Sequence, residues 1–241
     1  LMAESTQVRI LVPESLAEHA ETELPKNGNV EIVVVATNDS WIRDYGPTFV
    51  HDSENGGLFG IDWRYNAWGG KYPPWDADDA AASFICDKIG IPRIRSKLCL
   101  EGGALETDGQ GRLLTTPECL VTSTRNPGWS SDQISQELHA QMGVTEILWL
   151  TGGGLIGDDT DGHIDQLARF LDPNNIVVAV CDDEHDPNHQ ALEDNYRQLR
   201  LWGNSTDPKV SVHRLPIPAK REIDGQRVPE SYCNFLMLGR D

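Results

Sequence analysis

Short apolar runs alternate along the chain with turn-forming clusters, and longer amphipathic segments recur between them. Gln7 to Val12 alternates and ends at Pro13, Glu14 to Glu23 suits a short helix, and Asn27-Gly28 marks a turn. Val30 to Ala36 is rich in β-branched residues and predicts a buried strand. Thr48 to Val50, the turn-rich HDSENGG and Leu58 to Trp63 predict a hairpin, followed by an aromatic, glycine- and proline-rich loop. A helix then runs toward Ile89, with Asp76, Asp78 or Asp79 as its cap, Gly90 as its stop, and Ile91 to Ile94 as the next strand.

The same order recurs twice. Ala104 to Glu106, a DGQG turn and Arg112 to Thr115 predict a second hairpin; Ser130 or Ser131 opens a helix over Ile134 to Met142, and Glu146 to Leu150 is a strand. In the third round Ile164 to Phe170 and Ile176 to Val180 flank a turn at Pro173 to Asn175. A helix over Asn188 to Trp202 and a strand over Val210 to Arg214 follow. The hairpin turns near Glu54, Gly109 and Pro173 give a period of roughly 55 to 65 residues.

An α/β fold of repeated ββαβ modules is therefore expected, packed around an axis as an α/β propeller. The approximate modules are 30–95, 100–150 and 160–215. A fourth begins at Ser231 to Asp241, where Cys233 to Leu238 reads as a first hairpin strand. The expectation is one incomplete propeller domain over residues 1–241.

Acidic residues cluster ahead of successive hairpins. The densest cluster, GDDTDGHID at Gly157 to Asp165, holds four aspartates, a histidine and two glycines. Such carboxylates repel one another unless a cation sits among them, although a solvated acidic turn gives the same pattern. Over 241 residues, 38 acidic against 20 basic side chains give a formal charge of -18, which disfavours nucleic acid and anionic membranes as partners and favours a small cationic substrate. No stretch has the length of an apolar span and no secretory leader is visible, so no membrane partner is expected. The five cysteines form no CxxC pair, which agrees with a cytoplasmic location.

Asp44 and Asp165 each lie at the entrance to a strand, and two carboxylates can grip a planar guanidinium from opposite edges. His163 is placed to exchange protons, and Glu101, before Gly102-Gly103, to orient it or to bind substrate nitrogen. Asp158, Asp159, Asp161, His163 and Asp165 are also suitable in type for a hard divalent cation. A calcium-loop count from Asp159 meets Phe170 where the bidentate Glu should stand, so no metal is expected. Of the cysteines, Cys99 lies nearest Glu101 in sequence and is the best local nucleophile, though none has a convincing setting.

The pieces NDSWIRDYGPTFV, GIDWRYNAWGG, LEGG, TPECLVTSTRNPGWS and GDDTDGHID, in this order, resemble the agmatine deiminase family, within the guanidine-modifying enzymes that include bacterial peptidylarginine deiminases. The resemblance implies a five-module, pentein-like α/β propeller. It also implies deimination of agmatine through a cysteine-bound intermediate, with arginine or peptidyl-arginine as alternative substrates and no cofactor. By motif, Asp44 and Asp165 would hold the guanidinium, His163 would move protons and Glu101 would complete the polar site. Trp41, Arg43, Asn66 and Trp68 would shape the pocket. The family's late G-G-G-x-x-H-C motif, with its nucleophilic cysteine, has no match here. The chain is thus expected to be an inactive guanidine-binding protein or to work with a missing C-terminal polypeptide, and a second copy of itself is the other expected partner.

Overall fold

The computed structural model describes residues 2–25, 28–54 and 56–238. Asn27 of the first predicted turn, Asn55 of the predicted HDSENGG turn and Gly239 to Asp241 at the end of the predicted fourth round lie outside them.

Strand β1 (Val8–Val12), helix α1 (Ala17–Glu23) and strand β2 (Val30–Val34) form a βαβ unit whose strands pair in parallel, Val8 opposite Val30. Of β2 only Val33 is buried, so the run expected to form a buried strand lies partly exposed. Three three-stranded sheets follow. The first holds β3 (Thr48–His51), β4 (Leu58–Arg64) and β5 (Arg93–Cys99), with helix α2 (Asp76–Ile89) crossing between β4 and β5. The second holds β6 (Glu106–Thr107), β7 (Arg112–Thr115) and β8 (Glu146–Trp149), with α3 (Ser131–Met142) as crossover. The third holds β9 (Ala168–Asp172), β10 (Asn175–Val180) and β11 (Ser211–Pro216), with α4 (His189–Ser205). In each, an antiparallel hairpin is joined to a parallel third strand, which is the ββαβ order read from the sequence.

The helix ends show which local signals prevailed. Ser130 caps α3 by accepting from the Gln133 amide, while the Gln133 side chain accepts from the Ser130 amide, a reciprocal capping box. The first-turn aspartates of α2 do not cap it. Asn38 Oδ1 accepts from the Ala77 amide at 2.9 Å instead, and Asp78 Oδ1 returns a bond from the Asn38 amide at 2.7 Å. That reciprocal pair ties the chain after β2 to the start of α2.

Cys233 to Leu238 has no ladder partner among the described residues. Its carbonyls are taken by a side chain: Arg169 Nη1 donates to the oxygens of Cys233 and Phe235. The predicted strand is therefore an irregular segment pinned beside β9. No described helix is long and apolar enough to cross a membrane.

The sheets are joined by shared cores. Leu113 and Leu114 are adjacent on β7 and point to opposite faces, as strand geometry requires. Leu113 packs in one cluster with Ile61 and Leu98 of the first sheet and Ile134 and Leu138 of α3. Leu114 packs in another with Phe170, Ile176 and Val178 of the third sheet and Leu192 and Leu199 of α4. The middle sheet is thus apolar on both faces. Truncating either residue, Leu113→Ala or Leu114→Ala, is expected to lower unfolding stability by about 2–5 kcal/mol. Urea denaturation checks this, and a loss below about 1 kcal/mol at either position would mean that the core there is not continuous.

Candidate functional site

Each three-stranded sheet is entered through a single helical turn: Ile42–Tyr45 before β3, Gly102–Ala104 before β6 and Ile164–Gln166 before β9. These turns carry Asp44, Gly103 and Asp165, with Glu101 and His163 just ahead of the second and third. The Gly103 amide donates to Asp44 Oδ1 at 3.0 Å. A Cβ on Gly103 would lie 2.5 Å from His163 Nδ1, 2.7 Å from Asp44 Oδ1 and 2.9 Å from Asp165 Oδ2. One on Gly102 would overlap the Arg43 carbonyl. The two glycines are therefore required by close approach, and the groups around Gly103 are brought together because it has no side chain.

Asp44, Glu101, His163 and Asp165 are all buried, Glu101 completely. Asp44 Oδ2 accepts from the Trp68 indole at 3.1 Å. Burial pushes Asp44 up to about 6, opposed by His163 and reinforced by Asp165 and Glu101. Burial likewise raises Asp165, although His163, Arg43 and Arg169 pull against it. Asp165 Oδ1 is buried with no hydrogen-bond partner among the described residues. Such an acceptor costs free energy until a donor reaches it.

Glu101 differs in having a cation of its own. Arg125, whose side chain is fully buried, donates through Nε to both Glu101 oxygens at 2.9 Å and through Nη1 to Asp161 at 2.7 Å. Burial would raise Glu101, but His163 and Arg125 outweigh it and hold its carboxyl below the usual range. His163 Nε2 lies 3.4 Å from Glu101 Oε2, and its Nδ1 lies 3.7 Å from Asp44 Oδ1. Burial pushes the imidazole down, yet Cys119, Glu101 and Asp44 around it hold its pKa well above that of an ordinary histidine.

Asp44, His163 and Asp165 line a cavity of about 600 Å³ with Trp41, Trp68 and Tyr72, while Glu101 sits behind His163. Trp68 occupies left-handed backbone, φ 55° and ψ 48°, a strained position for an aromatic residue that puts its indole on Asp44. Trp41 and Arg43 border the cavity but are half exposed. Asn66, expected at the pocket, does not line it. Its Oδ1 accepts from the Gly69 amide and its Nδ2 donates to the Thr124 carbonyl, so it holds the turn that presents Trp68. A second cavity of about 690 Å³, lined by apolar residues such as Phe49, Phe84 and Met142, has its buried Glu106 already paired with Arg169.

The acidic run is resolved by partners within the chain. Asp158 accepts from the Thr160 and Gly162 amides and from the Thr160 hydroxyl. Tyr72 donates to Asp159, and Asp161 is paired with Lys71 and Arg125. These carboxylates close a loop, and Asp165 borders the cavity with a buried oxygen that has no hydrogen-bond partner among the described residues.

Three participants lay outside the sequence reading. Gly103 and Arg125 had no assigned role, and Cys99 was ranked above Cys119. Cys119 is the residue that reaches Glu101, its Sγ 3.6 Å from Oε2. Cys99 is buried, its thiol pushed up to about 12 by burial and by Glu101. Sequence separation misled here because the helical turn Pro117–Leu120 returns under Glu101.

Comparison with known proteins adds to this geometry. The family model for Porphyromonas-type peptidyl-arginine deiminase matches residues 1–240. The chain belongs to that family. A curated relative from Legionella pneumophila (strain Paris) is 38% identical over 223 residues, 92% of this chain and 64% of its own length. An agmatine deiminase of Stutzerimonas stutzeri is 37% identical over 92% of this chain and 66% of its own length. Among solved structures, a C. jejuni agmatine deiminase with substrate bound superposes with a TM-score of 0.87 at 33% identity, over 98% of this chain and 68% of that one. The agmatine deiminase of Enterococcus faecalis gives a TM-score of 0.84 at 31% identity, over 96% and 66%. The family fold is thus shared throughout this chain, which spans about two-thirds of the length of these relatives.

Replacing Arg125 by methionine removes the cation from a buried carboxylate. Arg125→Met is expected to cost about 3–5 kcal/mol of stability, whereas adding Glu101→Gln should recover part of it. Chemical denaturation of the two single variants and the double variant reads the coupling.

Proposed function

We propose that this chain supplies the guanidine-binding and proton-transfer part of an agmatine deiminase. Carrying this reading is the unpartnered Asp165 Oδ1, which borders the cavity beside Asp44. A guanidinium presents planar N–H groups that pair with carboxylates at opposite edges, and it satisfies that acceptor while its single positive charge is shared between the two buried carboxylates. Trp68, held against Asp44, offers an aromatic face to the planar cation.

In the proposed reaction a thiolate supplied from outside these 241 residues attacks the guanidinium carbon. Asp44 and Asp165 orient the substrate, His163 gives a proton to the departing nitrogen, and ammonia leaves as the carbon–nitrogen bond breaks. Water then gives a proton to His163 and attacks the cysteine-bound amidino carbon. The carbon–sulfur bond breaks as the new hydroxyl gives up its proton, which the freed ammonia takes up as ammonium, returning the thiolate and releasing N-carbamoylputrescine. Glu101, itself fixed by Arg125, keeps the imidazole in place for both transfers.

The outer cavity wall favours a dication. Asp39, Asp158 and Asp159 line it, as the strongly negative chain suggests, and a terminal amine suits them better than a carboxylate. Arg43 is the observation on the side of arginine or an arginine peptide, because it is a lining cation able to meet a carboxylate. Isothermal calorimetry with agmatine, arginine and an arginine peptide separates these readings. Agmatine is expected to bind tightest, and equal or tighter binding of arginine would overturn the choice of substrate.

The site must be ionised to bind. Asp44, raised to about 6, is neutral below that value and charged above it, so agmatine affinity is expected to fall as pH drops through about 6. Asp165→Asn should weaken binding by roughly tenfold or more at neutral pH, the scale of a lost charged hydrogen bond. Calorimetric titration across this range tests both, and an unchanged affinity in Asp165→Asn would remove that residue from the guanidinium site.

A further inference from the structure

Among the described residues, one group of side chains brings together a thiol, an imidazole and a carboxylate at metal-binding separations: Cys119, His163 and Glu101, all buried, with their ligand atoms within 4.8 Å of one another. Arranged tetrahedrally at ordinary zinc bond lengths, sulfur and oxygen ligands stand about 3.5 Å apart, and nitrogen and oxygen ligands about 3.3 Å apart. Cys119 Sγ and Glu101 Oε2 are separated by 3.6 Å, and His163 Nε2 and Glu101 Oε2 by 3.4 Å. These two edges already have the dimensions of a zinc site.

We propose that Glu101, Cys119 and His163 form a site for Zn²⁺, and that occupation of this site switches off the proton chemistry of His163. The donor set of one thiolate, one imidazole and one carboxylate selects a borderline-soft ion over magnesium or calcium. Three protein ligands also leave a fourth position open.

The surroundings suit this exchange. At present the Cys119 thiol and His163 Nε2 both approach the same oxygen, Glu101 Oε2. The ion would take the place of two protons, one from the thiol and one from Nε2, so binding releases them to solvent with no change of oxidation state. With Nε2 on the metal, Nδ1 carries the remaining ring proton and faces Asp44 Oδ1 at 3.7 Å, a carboxylate behind a metal-bound imidazole. Arg125 Nε donates to both Glu101 oxygens, including the Oε2 that would bind the ion, and fixes the orientation of the carboxylate. The carboxylates of Asp44 and Asp165 add negative charge within reach of a dication.

Zinc therefore acts here as an inhibitor of the proposed reaction and not as its cofactor. An imidazole lone pair committed to zinc can neither accept a proton from water nor pass one to a leaving nitrogen. The metal site itself stands on three side chains, whatever the substrate is, so its test does not depend on deiminase activity.

The experiment is titration of Co²⁺ as a spectroscopic stand-in into the purified protein under reducing, metal-free conditions. Expected are one bound equivalent, a thiolate-to-cobalt charge-transfer band in the near ultraviolet, visible bands of a low-coordinate ion, and loss of all of them when Zn²⁺ is added. Cys119→Ser should abolish the charge-transfer band, and His163→Gln should abolish stoichiometric binding. Cys233→Ser, which changes a buried thiol outside the group, should alter neither. Circular dichroism on each variant confirms that it is folded. Absence of a thiolate band in the unaltered protein, its survival in Cys119→Ser, or its loss in Cys233→Ser would each overturn the proposal. So would stoichiometric binding that persists in His163→Gln.

Discussion

Arg125 enters a region crowded with carboxylates with its whole side chain buried, and the arrangement of the site depends on that cation. Three acidic residues and a histidine placed out of water repel or neutralise one another unless something fixes their charges. Arg125 fixes one of them, Glu101, by contacting both of its oxygens, and reaches Asp161 of the acidic loop with the same guanidinium. The anchored Glu101 then positions His163, so the histidine responds to a charge that cannot move away. Asp44 and Asp165 receive no comparable cation, and burial raises both. The protein thus separates one acid whose carboxyl its own cation helps to hold below the usual range from two that burial pushes up.

This division follows from the repeat. Each sheet begins with a helical turn at the same place in its module, and the turns meet because the sheets share cores through the two faces of β7. Side chains from distant parts of the sequence are thereby brought within a few ångströms of one another. The close approach is permitted at Gly103, where no Cβ intervenes between Asp44, His163 and Asp165.

Much of this was legible in the chain because the signals are local. Hairpin turns, the Ser130 capping box and the period of the modules are written over short stretches, and the order of elements follows from them. Asp44 and Asp165 could be picked out at the entrance to a strand, His163 by its spacing from Asp165, Glu101 by the glycine pair that follows it, and all four by their family motifs. What could not be read was set by tertiary contact. Asn38 caps α2 from beyond its own strand, displacing the aspartates that local rules favour. Cys233 to Leu238 has strand composition, but composition does not supply a neighbouring strand, and Arg169 takes its carbonyls instead. Cys119 and Arg125 belong to a segment whose return under Glu101 has no one-dimensional trace.

The acidic run from Gly157 to Asp165 shows why residue type alone leaves chemistry open. Four aspartates in one loop suggested a bound cation, yet Asp158 spends its oxygens on the loop's own amides and hydroxyl, and Asp161 meets Lys71 and Arg125. Those pairings hold the loop in the shape that delivers His163 and Asp165 to the cavity. Had Asp165 been paired in the same way, the site would be an inert network of satisfied charges. Its oxygen, buried with no hydrogen-bond partner among the described residues, instead leaves the loop with the acceptor that the proposed guanidinium would meet.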